Sequence, residues 1–213
     1  MPANIERLTE ILAEMKAIYL ADPRGAVRGQ RFIRVLHSYC VEELANLGFD
    51  RDNIVEEAKV FGSHNPKNVD VAYIDPINGP LIIIGVRSQM SSVANNVLNY
   101  YEGIIGDCTT LHDRFPMAVI SYVYLLPLHP ILEGHEARFV DLDRAEILYR
   151  LITNRGDWRN PKDKFEHFSF LKVDFDHDPP HLLDTIEELK INTLFDKIKE
   201  TFLIRNFFLE IQV

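Results

Sequence analysis

The sequence predicts an α/β fold, a central mixed β-sheet flanked by helices, and three observations carry that prediction. Segments with apolar residues at three- and four-residue steps alternate with short runs rich in β-branched residues. Residues 81–86 read LIIIGV, a continuous apolar run of the kind a strand shows when both its faces are covered. With 213 residues, 46% of them hydrophobic, the chain can bury a core of moderate size. The resulting order is helix, helix, hairpin, helix, strand, helix, strand, helix, and a sheet with helices on its faces satisfies it most simply. One domain over residues 1–213 accounts for this order, with no internal repeat, low-complexity segment or linker.

Residues 4–20 place Ile5, Leu8, Ile11, Leu12, Met15 and Tyr19 on one helical stripe, and Asp22-Pro23-Arg24-Gly25 breaks the helix. A second helix is predicted from about Gln30 to Leu47, with Phe32, Leu36, Cys40, Leu44 and Leu47 inside and Gly48 as its stop. Residues 54–61, IVEEAKVF, fit a short strand or a loop. NVDVAYI (68–74) and LIIIGVRSQ (81–89) flank the turn-forming DPINGP and read as a hairpin. From Ser91 to Ile105 the pattern turns helical, with Val93, Val97, Leu98, Tyr101, Ile104 and Ile105 apolar and Ser91 or Ser92 as N-cap. MAVISYVYLLPL (117–128) is a central strand closed by Pro127 and Pro130. Residues 141–154 read as helix, 165–175 as strand and 181–209 as one broken helix.

Charged residues at 26% and aromatics at 10% fit an ordinary folded chain. A formal net charge of −9 argues against nucleic-acid binding through the overall field, yet leaves room for a local basic cleft, because phosphate contacts are local. Cys40 and Cys108 make neither a disulfide framework nor a zinc site and read as reduced core thiols. No apolar run reaches the roughly 18 residues that span a membrane. The amino terminus has no signal-peptide pattern, so the cytoplasm is the expected compartment. The absence of a Walker or dinucleotide glycine loop, a Gly-x-Ser-x-Gly elbow and a HExxH pair argues against ATPases, dehydrogenases, serine hydrolases and zinc proteases.

Residues 68–102 carry the chemistry: Asp70 on the first hairpin strand, Arg87 near the end of the second, and Glu102 on the helix that follows. This stretch resembles the core of the PD-(D/E)XK nuclease superfamily, the group that contains many type II restriction endonucleases. The resemblance implies a restriction endonuclease-like core over about residues 30–130, completed by a strand and helices over 140–213. It further implies DNA as the partner and Mg²⁺ or Mn²⁺ as the cofactor. In that superfamily the first strand supplies an Asp and the second a Glu-x-Lys, whose acid and lysine share a face because strand side chains alternate. Here Asp70 matches the first position, and Gly85-Val86-Arg87 stands where Glu-x-Lys belongs. Gly85 has no side chain to bind a metal, and Arg87 keeps the charge but stays protonated and cannot act as a base.

Some members of the superfamily carry the second acid on the helix after the strand, and Glu102 lies at a comparable separation from Arg87. On this reading Asp70 and Glu102 bind the metal, Arg87 steadies the phosphate, and water attacks. Gln89, two residues further along the strand face, orients that water or takes over part of the lysine's role. Glu43, on the helix before the hairpin, matches the additional acid these nucleases often carry and is a third candidate ligand, with Glu42 as the adjacent alternative. Each has a plainer reading: Asp70 as a solvated strand edge, Glu102 and Glu43 as wet helix surface, Arg87 as a salt-bridge partner. Ser63, His64 and Lys67 in GSHNPKNVD suit phosphate contact or form a simple connector; His112 and Arg114 in LHDRFP could touch a ligand or cap a helix. His129, His135, His167, His177 and His181 show no metal-ligand spacing. Two functions therefore stand: a Mg²⁺-dependent DNA endonuclease, dimeric so that two sites cut two strands, or a catalytically degenerate nuclease fold that binds nucleic acid or protein. FDKIKETFLIRNFFLEI (195–211) is apolar enough for a homodimer interface, though a helix covering the core is the more economical reading.

Overall fold

A computed structural model describes residues 2–90, 93–129, 131 and 141–209, with the backbone alone for 27, 28 and 93–97. The expected caps Ser91 and Ser92, Pro130, His135 and the end of the carboxy-terminal segment lie outside the described residues.

Apolar strands with both faces to cover dictate a three-layer arrangement, and the molecule has one. Strands β1 (Ile54–Phe61), β2 (Pro66–Asp75) and β3 (Gly79–Ser88) form an antiparallel meander. β3 then pairs in parallel with β4 (Val119–Pro127), and β4 in parallel with β5 (His167–Asp174). β6 (His181–Leu183) adds an antiparallel edge, which completes a six-stranded mixed sheet in sequence order. On one face α1 (Ile5–Ala21), α3 (Arg31–Asn46) and α6 (Leu194–Arg205) bury Leu12, Leu36 and Phe195 against Ile82, Ile84 and Val123. On the other, α4 (Val93–Arg114) and α5 (Leu142–Leu151) bury Ile104, Cys108 and Tyr149 against Ile83, Ile120 and Tyr124. Successive β3 isoleucines therefore serve opposite cores, which is why LIIIGV shows no alternation.

Four elements differ from expectation. Residues 54–61 are a full strand that keeps one register with β2 on both sides of Glu57, which has φ 50°. The Asp22-Pro23 break is immediately followed by α2 (Pro23–Gly29), because Pro suits a first helical position and the Asp22 side chain accepts from Gly25 N–H at 2.9 Å. α4 runs to Arg114 rather than ending near Ile105, because Cys108 and Leu111 continue its buried stripe. Residues 181–209 begin as a strand: Leu182 and Leu183 pair with Val173 and Lys172, and two 3₁₀ turns precede α6. Among the described residues no helix is long and apolar enough to cross a membrane.

One irregularity sets up the site. The β2–β3 ladder runs from Asp75–Gly79 only as far as Val71–Ile84. Beyond it the two strands part: residues 66–69 continue against β1, and 85–88 against β4.

Candidate active site

Asp70 sits where the strands part. Its Oδ2 accepts the Val86 N–H at 2.7 Å, so the carboxylate takes the place of a ladder partner and is fixed by backbone. The separated strand arms, the start of α3 and one side of α4 enclose a cleft of about 450 Å³ whose wall includes Lys67, Asp70, Arg87, Tyr100, Asp107 and Tyr122. The Asp70 side chain is 34% exposed, and its Oδ1 lies 3.7 Å from Nε2 of the buried His37 on α3. Neither ring nitrogen of His37 is hydrogen-bonded among the described residues. Burial raises the Asp70 carboxyl above its ordinary value, against the opposing pull of His37, the Val86 N–H and Arg87. Burial also lowers His37, against the opposing field of Asp70.

Arg87 lies two residues beyond Gly85 on the same strand face. Its guanidinium stacks over the Tyr100 ring at 4.8 Å, and among the described residues no carboxylate comes within ion-pair distance of it. Lys67, on the β2 arm, reaches across to Asp107 on α4 at 2.5 Å. Gly85 is opposite Tyr122 in the β3–β4 register, and a Cβ built at Gly85 would overlap the Tyr122 ring. That ring stacks on Phe168 with centroids 5.5 Å apart and is 7% exposed. The second strand thus presents no acid here, and the neighbouring strand's aromatic ring fills the space over Gly85.

The structure brings Asp70 and Arg87 to one cleft but leaves three sequence candidates outside its wall. Glu102 is exposed, while Tyr100, Asp107, Cys108 and Leu111 are the α4 residues that face inward. Two helical residues separate Glu102 from Tyr100, about 200° of rotation. The expected convergence of Asp70 and Glu102 on one metal is therefore not found. Glu43 is buried and its Oε1 accepts the Asn4 N–H at 3.2 Å; burial raises its carboxyl, and its part is to tie α3 to the start of α1. Gln89 is buried and its Oε1 accepts the Tyr124 hydroxyl at 2.9 Å, a core bond rather than a water-orienting one. His112 lies in the core, with Nε2 donating to Glu166 at 3.0 Å. Ser63 approaches Asp113 at 3.5 Å, and of the polar connector before Asp70, Lys67 and Asn68 line the cleft.

Sequence reasoning missed Asp107 and Tyr122. Asp107 follows Tyr100 by seven residues, two helical turns, so correct phasing of α4 would have found it. Tyr122 stands in a continuous apolar strand, and only its register with Gly85 singles it out. Among the described residues no three His, Cys, Asp or Glu side chains are grouped to hold a metal. Asp70 and Asp107 both line the cleft, and a hard cation that keeps several waters needs only one or two carboxylates. No protein-family model, curated protein or solved structure matches this chain.

Proposed function

We propose that this protein is a metal-dependent endonuclease of restriction endonuclease-like architecture that acts on DNA. The observation that carries the reading is Asp70, fixed by a backbone N–H at the parting of β2 and β3, with an arginine in the same cleft that no described carboxylate pairs. The succession α3, three antiparallel strands, α4 and parallel β4 supports it, since the PD-(D/E)XK core runs through the same helix, hairpin, helix and strand. Asp70 and Asp107 are the side chains that would hold Mg²⁺, and the cation when bound supplies a Lewis acid and an activated water. Arg87 contributes a permanent positive charge for the developing negative charge on phosphate and takes no proton. Lys67 pairs with Asp107 and is the second cationic side chain of the cleft wall. A homodimer would supply one such cleft per strand, and Ile204, Phe207 and Phe208, exposed at 71%, 71% and 85%, give α6 and its end an apolar surface for it.

Incubation with supercoiled plasmid and Mg²⁺ or Mn²⁺ tests the reading. The parent is expected to nick or linearise it, Asp70→Asn to lower the rate about 10²–10³-fold, and Glu102→Gln to leave it unchanged. Full activity in Asp70→Asn would sink the assignment. A second reading, nucleic-acid binding without hydrolysis, is favoured by the Tyr122 ring that closes the Gly85 position. A parent that retards labelled DNA and never cuts it would select that reading.

A further inference from the structure

We infer that Arg87 and Tyr122 form a two-donor grip for a phosphate group of a nucleic-acid backbone, a role for Tyr122 that rests on the nucleic-acid reading of the cleft but not on hydrolysis. Four observations meet here. The Arg87 guanidinium sits over the Tyr100 ring, and among the described residues its only charge partners act at a distance. Tyr122 is 93% buried, the complement of its 7% exposure, lines the cleft, and among the described residues its hydroxyl has no hydrogen-bond partner. The two meet by construction: Gly85 and Arg87 project from the same face of β3, and the Tyr122 ring occupies the space over Gly85. Burial also raises the Tyr122 hydroxyl further above neutral pH, against the opposing pull of Arg87, so it stays a protonated donor.

The Tyr122 hydroxyl is not among the enclosed polar atoms of the core but opens to the cleft, where it can donate to an anion that enters. A planar guanidinium and a phenol donor together suit the two non-bridging oxygens of a phosphodiester. The charged groups of the cleft wall balance in this conformation: Lys67 with Asp107, and Arg87 with Asp70. An incoming phosphate therefore meets no net negative field from the wall. Where the superfamily motif has a metal-binding acid, this chain has a neutral donor.

Fluorescence anisotropy of a labelled single-stranded oligothymidylate octamer, in EDTA so that nothing is hydrolysed, tests the grip. Tyr122→Phe keeps the ring over Gly85 and removes only the hydroxyl. It is expected to weaken binding about tenfold, and Arg87→Met about 10–100-fold, at unchanged melting temperature. The double variant should lose less than the product of the two, because both donors hold one group. Tyr122→Phe binding as tightly as the parent overturns the grip, as does a parent that does not bind the octamer. If inorganic phosphate, titrated alone, depends on both side chains while the octamer does not, the backbone assignment is overturned in favour of free phosphate. The plasmid assay separates this inference from the hydrolytic reading. A parent that cuts with indifference to Tyr122→Phe removes the grip and leaves the nuclease. A parent that binds through both donors and never cuts supports the grip and removes the hydrolysis.

Discussion

Glu166→Gln is expected to destabilise this protein by about 3–5 kcal/mol, among the largest losses any single polar substitution should produce here. Glu166 is completely buried, and donors from four described residues converge on it. Oε1 accepts from Arg155 at 2.5 Å and from Arg205 at 2.9 Å; Oε2 accepts from the Ile120 N–H at 2.8 Å and from His112 at 3.0 Å. These donors come from α4, β4, the segment before β5 and α6, so one carboxylate joins both helical layers to the sheet. The glutamine has the same shape but no charge, and it leaves two buried guanidinium groups without a counter-ion. Urea unfolding measures the loss; a variant within about 1 kcal/mol of the parent would show that the cluster is not needed.

The same residue predicts acid behaviour. Burial alone would raise the Glu166 carboxyl, but His112, Arg205 and the Ile120 N–H outweigh it and hold the pKa at about 2, against 4.5 ordinarily. A depressed carboxyl stabilises the folded state above the unfolded value, and that contribution disappears as protonation proceeds. Stability should therefore fall between about pH 4.5 and pH 2, by roughly 3 kcal/mol from this group. In Glu166→Gln the fall over that interval should be shallower by the same amount.

How much of this was legible follows from what local pattern encodes. The β3 run and its turn were readable because DPINGP and a continuous apolar strand each have one physical meaning. Asp70 was readable because it sits at a defined offset from that hairpin. Glu102 was misjudged by helix phase: Leu98 looked like part of an inner stripe yet is 62% exposed, while Ile104, Cys108 and Leu111 carry the true one. A phase error of one residue turns a helix by about 100° and moves a carboxylate from cleft to solvent. HLL was absorbed into a helix because three residues hold too little periodicity to declare an edge strand. The Glu166 cluster was invisible, since its members lie up to 93 residues apart (His112 to Arg205) and none has a local signature.

Gly85→Glu, which places an acid on the second strand beside Asp70, is expected to damage this protein. The side chain would enter space already filled by the Tyr122 ring, which is itself wedged against Phe165 and Phe168. Overpacking of that kind costs about 1–3 kcal/mol, and a second carboxylate beside Asp70 in a half-buried site adds to it. Tyr122→Ala alone should cost about 3–5 kcal/mol through the cavity it opens. Together the two changes answer each other, because the carboxylate occupies the vacated volume. The double variant should be about 1–3 kcal/mol more stable than the sum of the single effects predicts. Strict additivity would mean that the ring and the glycine do not share that space. Cation binding gives the second readout. With the introduced carboxylate admitted next to Asp70, two acids flank one point, and Mn²⁺ should raise the melting temperature of the double variant more than that of the parent. If Mn²⁺ stabilises both equally, Asp70 does not face the Gly85 position. If the double variant gains the cation, one pair of residues on neighbouring strands keeps a second acid from standing beside Asp70: Gly85, and Tyr122 in the space above it.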